Sequence, residues 1–218
     1  RSCVAMELDG QVVDLTAAIP HDARLRLITT HDPEALEILR HSAAHVMAQA
    51  ILHLYPEAKL TIGPAVENGF YYDIDMAPVS EEDFPAIEAE IQKIIKAKLP
   101  FKRRLVPKAD ALAFYRDEPY KLEMIEALTD GQISLYSQGD FTDLCRGPHL
   151  PHTGFIKAIK LMKVSGAYWR ADQAKAQLQS IYGTAFFSKK ELEDHLRFIE
   201  EAIKRNHRKI GVALDLFS

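Results

Sequence analysis

The sequence is short of cysteine, of long apolar runs and of any excess of positive charge, and each shortage excludes something. Two cysteines in 218 residues, Cys3 and Cys145, make no disulfide framework, so a reducing, cytoplasmic setting is expected. No apolar run approaches the ~18 residues a membrane span needs, and no stretch reads as a secretory signal, so no membrane partner is expected. Neither an internal repeat nor a low-complexity tract is present, which speaks against repeat architectures. The net charge is −4, so the chain as a whole is no obvious polyanion binder. What remains is ordinary: 47% hydrophobic and 27% charged residues, enough for one sizeable core, or one domain with appendages.

Positive charge is unevenly spread. Lys93, Lys96, Lys98, Lys102, Arg103, Arg104 and Lys108 crowd one segment, and Lys157, Lys160, Lys163 and Arg170 another. Such clusters read first as solvated faces, yet they suffice to hold a phosphate backbone locally.

Residues 1–31 read as strands and turns. Val4, Met6 and Leu8 alternate, Asp9-Gly10 signals a hairpin, and 24–28 alternate again. This piece is too short to bury a core alone and reads as the tail end of a small β-rich module. A long helix is expected from Asp32-Pro33-Glu34, with Asp32 as cap and Pro33 in the first turn, to about Leu54, before Pro56. Its apolar residues fall on two faces, so His41 and His45 should line an internal cleft rather than face open water. Strands are then expected at 60–64 and 69–75, a helix at 81–98, a strand at 101–106, helices at 107–115 and 119–128, and paired strands at 133–136 and 140–145. Short strands at 158–164, 167–170 and 179–184 precede a last helix from Ser188, ending at 206–211. The sum is an α+β fold, a long central helix packed against a mainly antiparallel sheet.

Two constellations carry chemistry. His41 and His45 stand four apart, roughly 40° from each other on a helix. Far along the chain Cys145 and His149 repeat that spacing, with Asp143 on the same strand face as Cys145. Imidazoles at this spacing with a Cys and a further His are donors of the kind zinc takes. The same set reads equally as core histidines with an apolar thiol, as a cysteine nucleophile activated by histidine, or as a site that deprotonates water.

The chain resembles the bacterial threonyl-tRNA synthetase family, in its N-terminal portion. The residues that carry the likeness are 40–45 (RHSAAH), 62–64 (IGP), 68–73 (NGFYYD), 119–121 (PYK), 143–149 (DLCRGPH), 166–170 (GAYWR) and 181–185 (IYGTA), in order along the chain. The resemblance implies that 1–31 are the C-terminal remnant of a ubiquitin-like module, 32–186 an editing domain, and 187–218 a linker helix leading to an absent aminoacylation core. It implies hydrolysis of the ester of seryl-tRNA(Thr), so the partners would be the acceptor end of tRNA(Thr) carrying serine and the core of the same polypeptide.

Carried over residue by residue, His41, His45, Lys121, Asp143, Cys145 and His149 are the catalytic set. Gly63 would allow close backbone approach and Tyr72 would stack on adenine. Lys121 enters through the resemblance alone, since by pattern it is an exposed helix charge. No cofactor is expected: zinc at His41, His45, Cys145 and His149 is possible, but the family's editing domains do not generally need it. The alternatives are a zinc-dependent hydrolase of another small ester and a non-catalytic tRNA-binding module.

Overall fold

A computed structural model describes residues 2–213, with side chains through Arg205. Strands β1 (Cys3–Leu8), β2 (Gln11–Val13) and β3 (Leu25–Thr29) form an antiparallel sheet in the order β2-β1-β3. The expected Asp9-Gly10 turn is present with both residues at positive φ, 49° and 86°, and Leu8 pairs with Gln11 across it. Both backbones match the twist of a two-residue hairpin there. Val4, Ala5 and Ile28 are fully buried and join the main core, so this sheet borrows its interior from the next element.

That element is α1 (Pro33–Leu54), with the bounds that the proline and cap signals imply. Asp32 stands at the cap position, but its carboxylate turns back to accept from the N–H and hydroxyl of Thr29, so it does not cap the helix. Nearly everything from Ile38 to Ile51 is buried, as a helix with two apolar faces requires.

One face of α1 lies on a sheet built of β4 (Lys59–Leu60), β5 (Ala65–Val66), β6 (Gly69–Asp75), β10 (Ala158–Tyr168) and β11 (Gln177–Phe186), ordered β10-β11-β6-β4 with β5 on β6. Against it packs α2 (Phe84–Ala97), entered through a short 3-10 turn. A third sheet, β7-β8-β9, joins β7 (Lys102–Leu105), β8 (Ser134–Gln138) and β9 (Phe141–Leu144). Between β7 and β8 come α3 (Lys108–Phe114) and α4 (Pro119–Glu126), and α5 (Lys189–Ala213) is the last element among the described residues.

Among the described residues the fold is α+β, with every strand pair antiparallel, in three sheets. Several bounds shift by one or two residues, and three differences from the sequence reading have a physical reason or bear on the fold. The expected strand at 60–64 is only two residues long, with Ile62 and Pro64 continuing the pairing to β6 irregularly. The expected strands at 158–164 and 167–170 are one strand. Gly166 reads locally as a break, but it pairs with Gln179, and the partner strand carries the ladder through it. The last helix runs beyond Gly211 to Ala213, and the expected tail at 214–218 lies outside the described residues. No helix among the described residues is long and apolar enough to cross a membrane.

Candidate functional site

The first buried turns of α1 place His41 and His45 one above the other, ring centroids 5.3 Å apart. The loop leaving β9 brings Cys145 and His149 against them: the His149 ring lies 4.3 Å from His41 and 4.2 Å from His45. The Cys145 sulfur sits 3.2 Å from His41 Nε2 and 3.3 Å from His149 Nε2, and accepts from the Gly147 N–H at 3.3 Å. One donor atom from each of the four lies within 4.8 Å of all the others. Zinc ligands in a tetrahedron stand about 3.4 Å apart. The edges from Cys145 to His41 and to His149 meet that and the widest does not, so the set fits zinc after closing by roughly an ångström.

Beneath these rings a second group is dry. Lys121 and Asp143 are both 2% exposed. Lys121 Nζ lies 2.5 Å from Asp143 Oδ1 and donates to the Thr61 carbonyl at 2.8 Å and to the Tyr72 hydroxyl at 3.2 Å, which spends all three ammonium hydrogens. The Tyr72 hydroxyl donates to Asp143 Oδ2 at 2.5 Å, and His45 Nε2 stands 3.9 Å from the same oxygen. A lysine that pattern alone would put in solvent is thus the buried counter-ion of Asp143.

Electrostatics divides the set. Burial drives all three imidazoles down: His45 to about 3, His149 well below its ordinary value, and His41 downward against the Pro148 carbonyl and Asp143. Burial pushes the Cys145 thiol up to about 12, so it is a thiol at neutral pH rather than a ready nucleophile. Burial would also raise Asp143, but the Lys121 charge, His45 and the hydrogen bonds from Lys121 and Tyr72 outweigh it and hold the carboxyl low. The site is therefore three neutral imidazoles and a thiol over one buried ion pair.

It has two openings. Cys145 borders a cavity of about 370 Å³ with Arg146, Gln132, Met124 and Arg170, and a larger one of about 630 Å³ with Tyr71, Trp169 and Tyr182 shares Met124 and Arg170 with it. His41 borders a third, about 480 Å³, edged by Glu34 and Glu37.

The structure brings His41, His45, Lys121, Asp143, Cys145 and His149 together. It moves the other two. Tyr72 is 1% exposed and bonded to Asp143 and Lys121, so its ring offers no face to a base. Gly63 is small for Tyr72's sake, since a Cβ there would fall 2.2 Å from that ring. Three contributors were not foreseen. Ser42 Oγ stands 3.0 Å from His149 Nδ1 and accepts from the Leu150 N–H at 3.0 Å; Phe101 stacks on His149 at 4.9 Å; and Asp14 accepts from the His149 N–H at 2.8 Å. Ser42 lay inside the histidine motif and carried that much signal; Phe101 and Asp14 carried none.

Comparison with known proteins finds similarity both in part of the chain and over its whole length. Residues 133–182 match the family described as the threonyl and alanyl tRNA synthetase second additional domain, a stretch that includes Asp143, Cys145 and His149. All 218 residues align with a threonine–tRNA ligase of Desulforapulum autotrophicum at 66% identity, covering 34% of that protein, and with one of Desulfosudis oleivorans at 64%, again 34%. A threonine–tRNA ligase of Thermotoga maritima is 48% identical over the whole chain and 34% of its own length. The chain is therefore similar over its entire length, and at high identity, to bacterial threonine–tRNA ligases, of whose length it spans about a third.

Proposed function

We propose that the site is the proofreading centre of a cytoplasmic threonine–tRNA ligase and hydrolyses the ester of seryl-tRNA(Thr). In this reading residues 1–31 are the end of a ubiquitin-like module, 32–186 the editing domain and 187–218 a linker helix to an aminoacylation core on the same polypeptide. The observation that carries it is the pairing of a neutral imidazole at a cavity wall, His41, with a buried Lys121–Asp143 pair that reaches it through the neighbouring His45 ring. The need follows from size. Serine lacks only a methyl of threonine, worth ~1–3 kcal/mol in a pocket, and a second, narrower site recovers the missing discrimination.

His41 borders an open cavity and takes a proton from water as the oxygen attacks the ester carbonyl. Charge then gathers on the carbonyl oxygen. Lys121 supplies a donor by exchanging its longest bond, the 3.2 Å one to Tyr72. The carbonyl–ribose bond breaks, the ribose oxygen takes up the proton, and serine leaves with the tRNA hydroxyl restored. Asp143 receives the serine ammonium or hydroxyl, and His45 and His149 keep the water in place.

The openings differ in sign, which gives the substrate a direction. The Cys145 side carries Arg146 and Arg170, the latter shared with Glu123 at 3.0 Å. Beyond it Tyr71 and Tyr182 lie 5.3 Å apart, with Lys163 over the Tyr182 ring at 4.6 Å. Cations and aromatic faces are what an unpaired, phosphate-linked 3′ end requires. Tyr71, one residue from the buried Tyr72, takes the stacking role. The carboxylates of Glu34 and Glu37 repel phosphate from the other side.

Deacylation of seryl-tRNA(Thr) and threonyl-tRNA(Thr) by this chain tests the reading: the serine ester is expected to turn over faster, and equal rates refute the sieve. The four close donors favour one rival, a zinc hydrolase. Metal analysis of the purified protein, with activity measured after chelation, separates it, since the water-handling site keeps its rate.

A further inference from the structure

Asp14 follows β2, in the sheet expected to be a separate module, yet it grips the loop that carries Cys145 and His149. Its Oδ1 accepts from the His149 N–H at 2.8 Å and its Oδ2 from the Tyr136 hydroxyl at 2.6 Å. Tyr136 is 1% exposed and stands edge-on to the His149 ring, centroids 4.6 Å apart. The same hydroxyl lies directly under Gly147, at positive φ of 74°, where a Cβ would come within 1.9 Å of it. Gly147 in turn donates to the Cys145 sulfur. One carboxylate thus holds both flanks of the loop, His149 directly and Gly147 with Cys145 through Tyr136.

We infer that Asp14 is a positioning residue for the site, and that the N-terminal sheet is a working part of it, a clamp that fixes the 145–149 loop against α1. His149 itself is 1% exposed, so water does not serve its N–H, and a carboxylate makes the stronger, charge-assisted kind of bond. Val12, two residues earlier, also borders the His41 cavity, so the sheet forms part of the wall as well as the grip. The inference rests on the hydrolytic reading for its kinetic consequence, but the clamp itself can be read without any turnover.

In a Cys3→Ser background, the rate at which iodoacetamide alkylates Cys145 reports whether the loop is held. Asp14→Ala is expected to raise that rate several-fold and to lower kcat for seryl-tRNA about 10- to 100-fold, with KM little changed. Asp14→Asn keeps an acceptor for the His149 N–H but none for the Tyr136 hydroxyl, and is expected between the parent and Asp14→Ala in both. Arg26→Ala removes the partly exposed pairs to Glu7 and to Glu34 of α1 at the edge of the sheet opposite β2, without touching the loop, and is expected near the parent. Should Asp14→Ala fail to fold, Tyr136→Phe removes one oxygen and should raise alkylation less, but measurably. Parental alkylation in Asp14→Ala, no recovery in Asp14→Asn, or an Arg26→Ala variant that matches Asp14→Ala each overturns the clamp. Faster alkylation in a chain whose parent never deacylates the ester upholds the clamp and sinks the functional reading instead.

Discussion

Along the buried length of α1, His41 and His45 meet other rings, a thiol and almost no water. Where the helix runs out to solvent His53, eight residues beyond His45, lies 2.9 Å from Glu90 and 3.1 Å from Asp140, with about a third of its side chain in solvent. Its bond to Glu90 first, then Asp140, raises its proton affinity against a modest burial cost, whereas burial drives His45 down to about 3. The imidazoles of one helix are therefore pushed in opposite directions, His41 and His45 down and His53 up. What decides is the neighbouring elements: β9 and its loop supply a thiol and rings, while α2 and the β8–β9 turn supply carboxylates. Only the dry end can hold a neutral base beside an ion pair, and that is the chemistry proposed for it.

The sharpest break between the two ends should be kinetic. His41→Ala is expected to lower kcat for seryl-tRNA deacylation by about 10²–10⁴-fold, the usual weight of a general base, while His53→Ala stays within about twofold of the parent. Single-turnover deacylation at pH 7 measures both. A His41→Ala, Lys121→Ala double variant that turns over normally would end the mechanism.

The ion pairs should part next. Lys121→Met leaves the Asp143 carboxylate buried without its counter-ion, beneath His45, and should cost about 3–5 kcal/mol in urea melts. Asp140→Ala removes a carboxylate that is 72% exposed and should cost under ~1 kcal/mol. Similar losses would mean that the two ends are equally wet.

How much of this the sequence discloses depends on how local the cause is. The bounds of α1 follow from Pro33 and Pro56, and its double-sided burial from its apolar spacing. His41, His45, Cys145 and His149 were legible because their spacing is a property of neighbouring residues. Lys121 was not: its partners are Asp143 on β9, the Thr61 carbonyl and Tyr72 on β6, and nothing beside it on α4 marks it for burial. Asp14 was invisible for the same reason, as its bonds reach β8 and the loop after β9 across most of the chain. Tyr72 differs in the opposite direction, an aromatic expected to offer its ring, whose ring is buried and whose hydroxyl bonds Asp143 and Lys121. The merged strand β10 shows pairing with β11 overriding a local glycine.

Acid should unfold the protein through its dry end. The unfolded chain protonates each of these histidines near the ordinary 6.5, but the folded one resists, His45 down to about 3. Between those values the unfolded state binds more protons, so stability rises with pH and falls as pH drops. The slope is at most ~1.4 kcal/mol per pH unit for each imidazole held neutral. Urea melts from pH 7 to 4 check it: a flat profile would mean that the histidines are hydrated in the fold.

His53 should act weakly and with the other sign. Its folded proton affinity is raised by Glu90 and Asp140, so what it adds is fully present below 6.5 and disappears as pH climbs through its raised value. His53→Ala should therefore be less stable than the parent at pH 6 by under ~1 kcal/mol, the measure of a solvent-facing pair. The deficit should shrink toward zero at alkaline pH. Since the pair links α1 to α2 and to the β8–β9 turn, salt should shrink the deficit as well, because partly exposed charges are screened over about 10 Å at 0.1 M. A deficit that grows with pH would place His53 with the buried imidazoles and erase the distinction between the two ends of the helix.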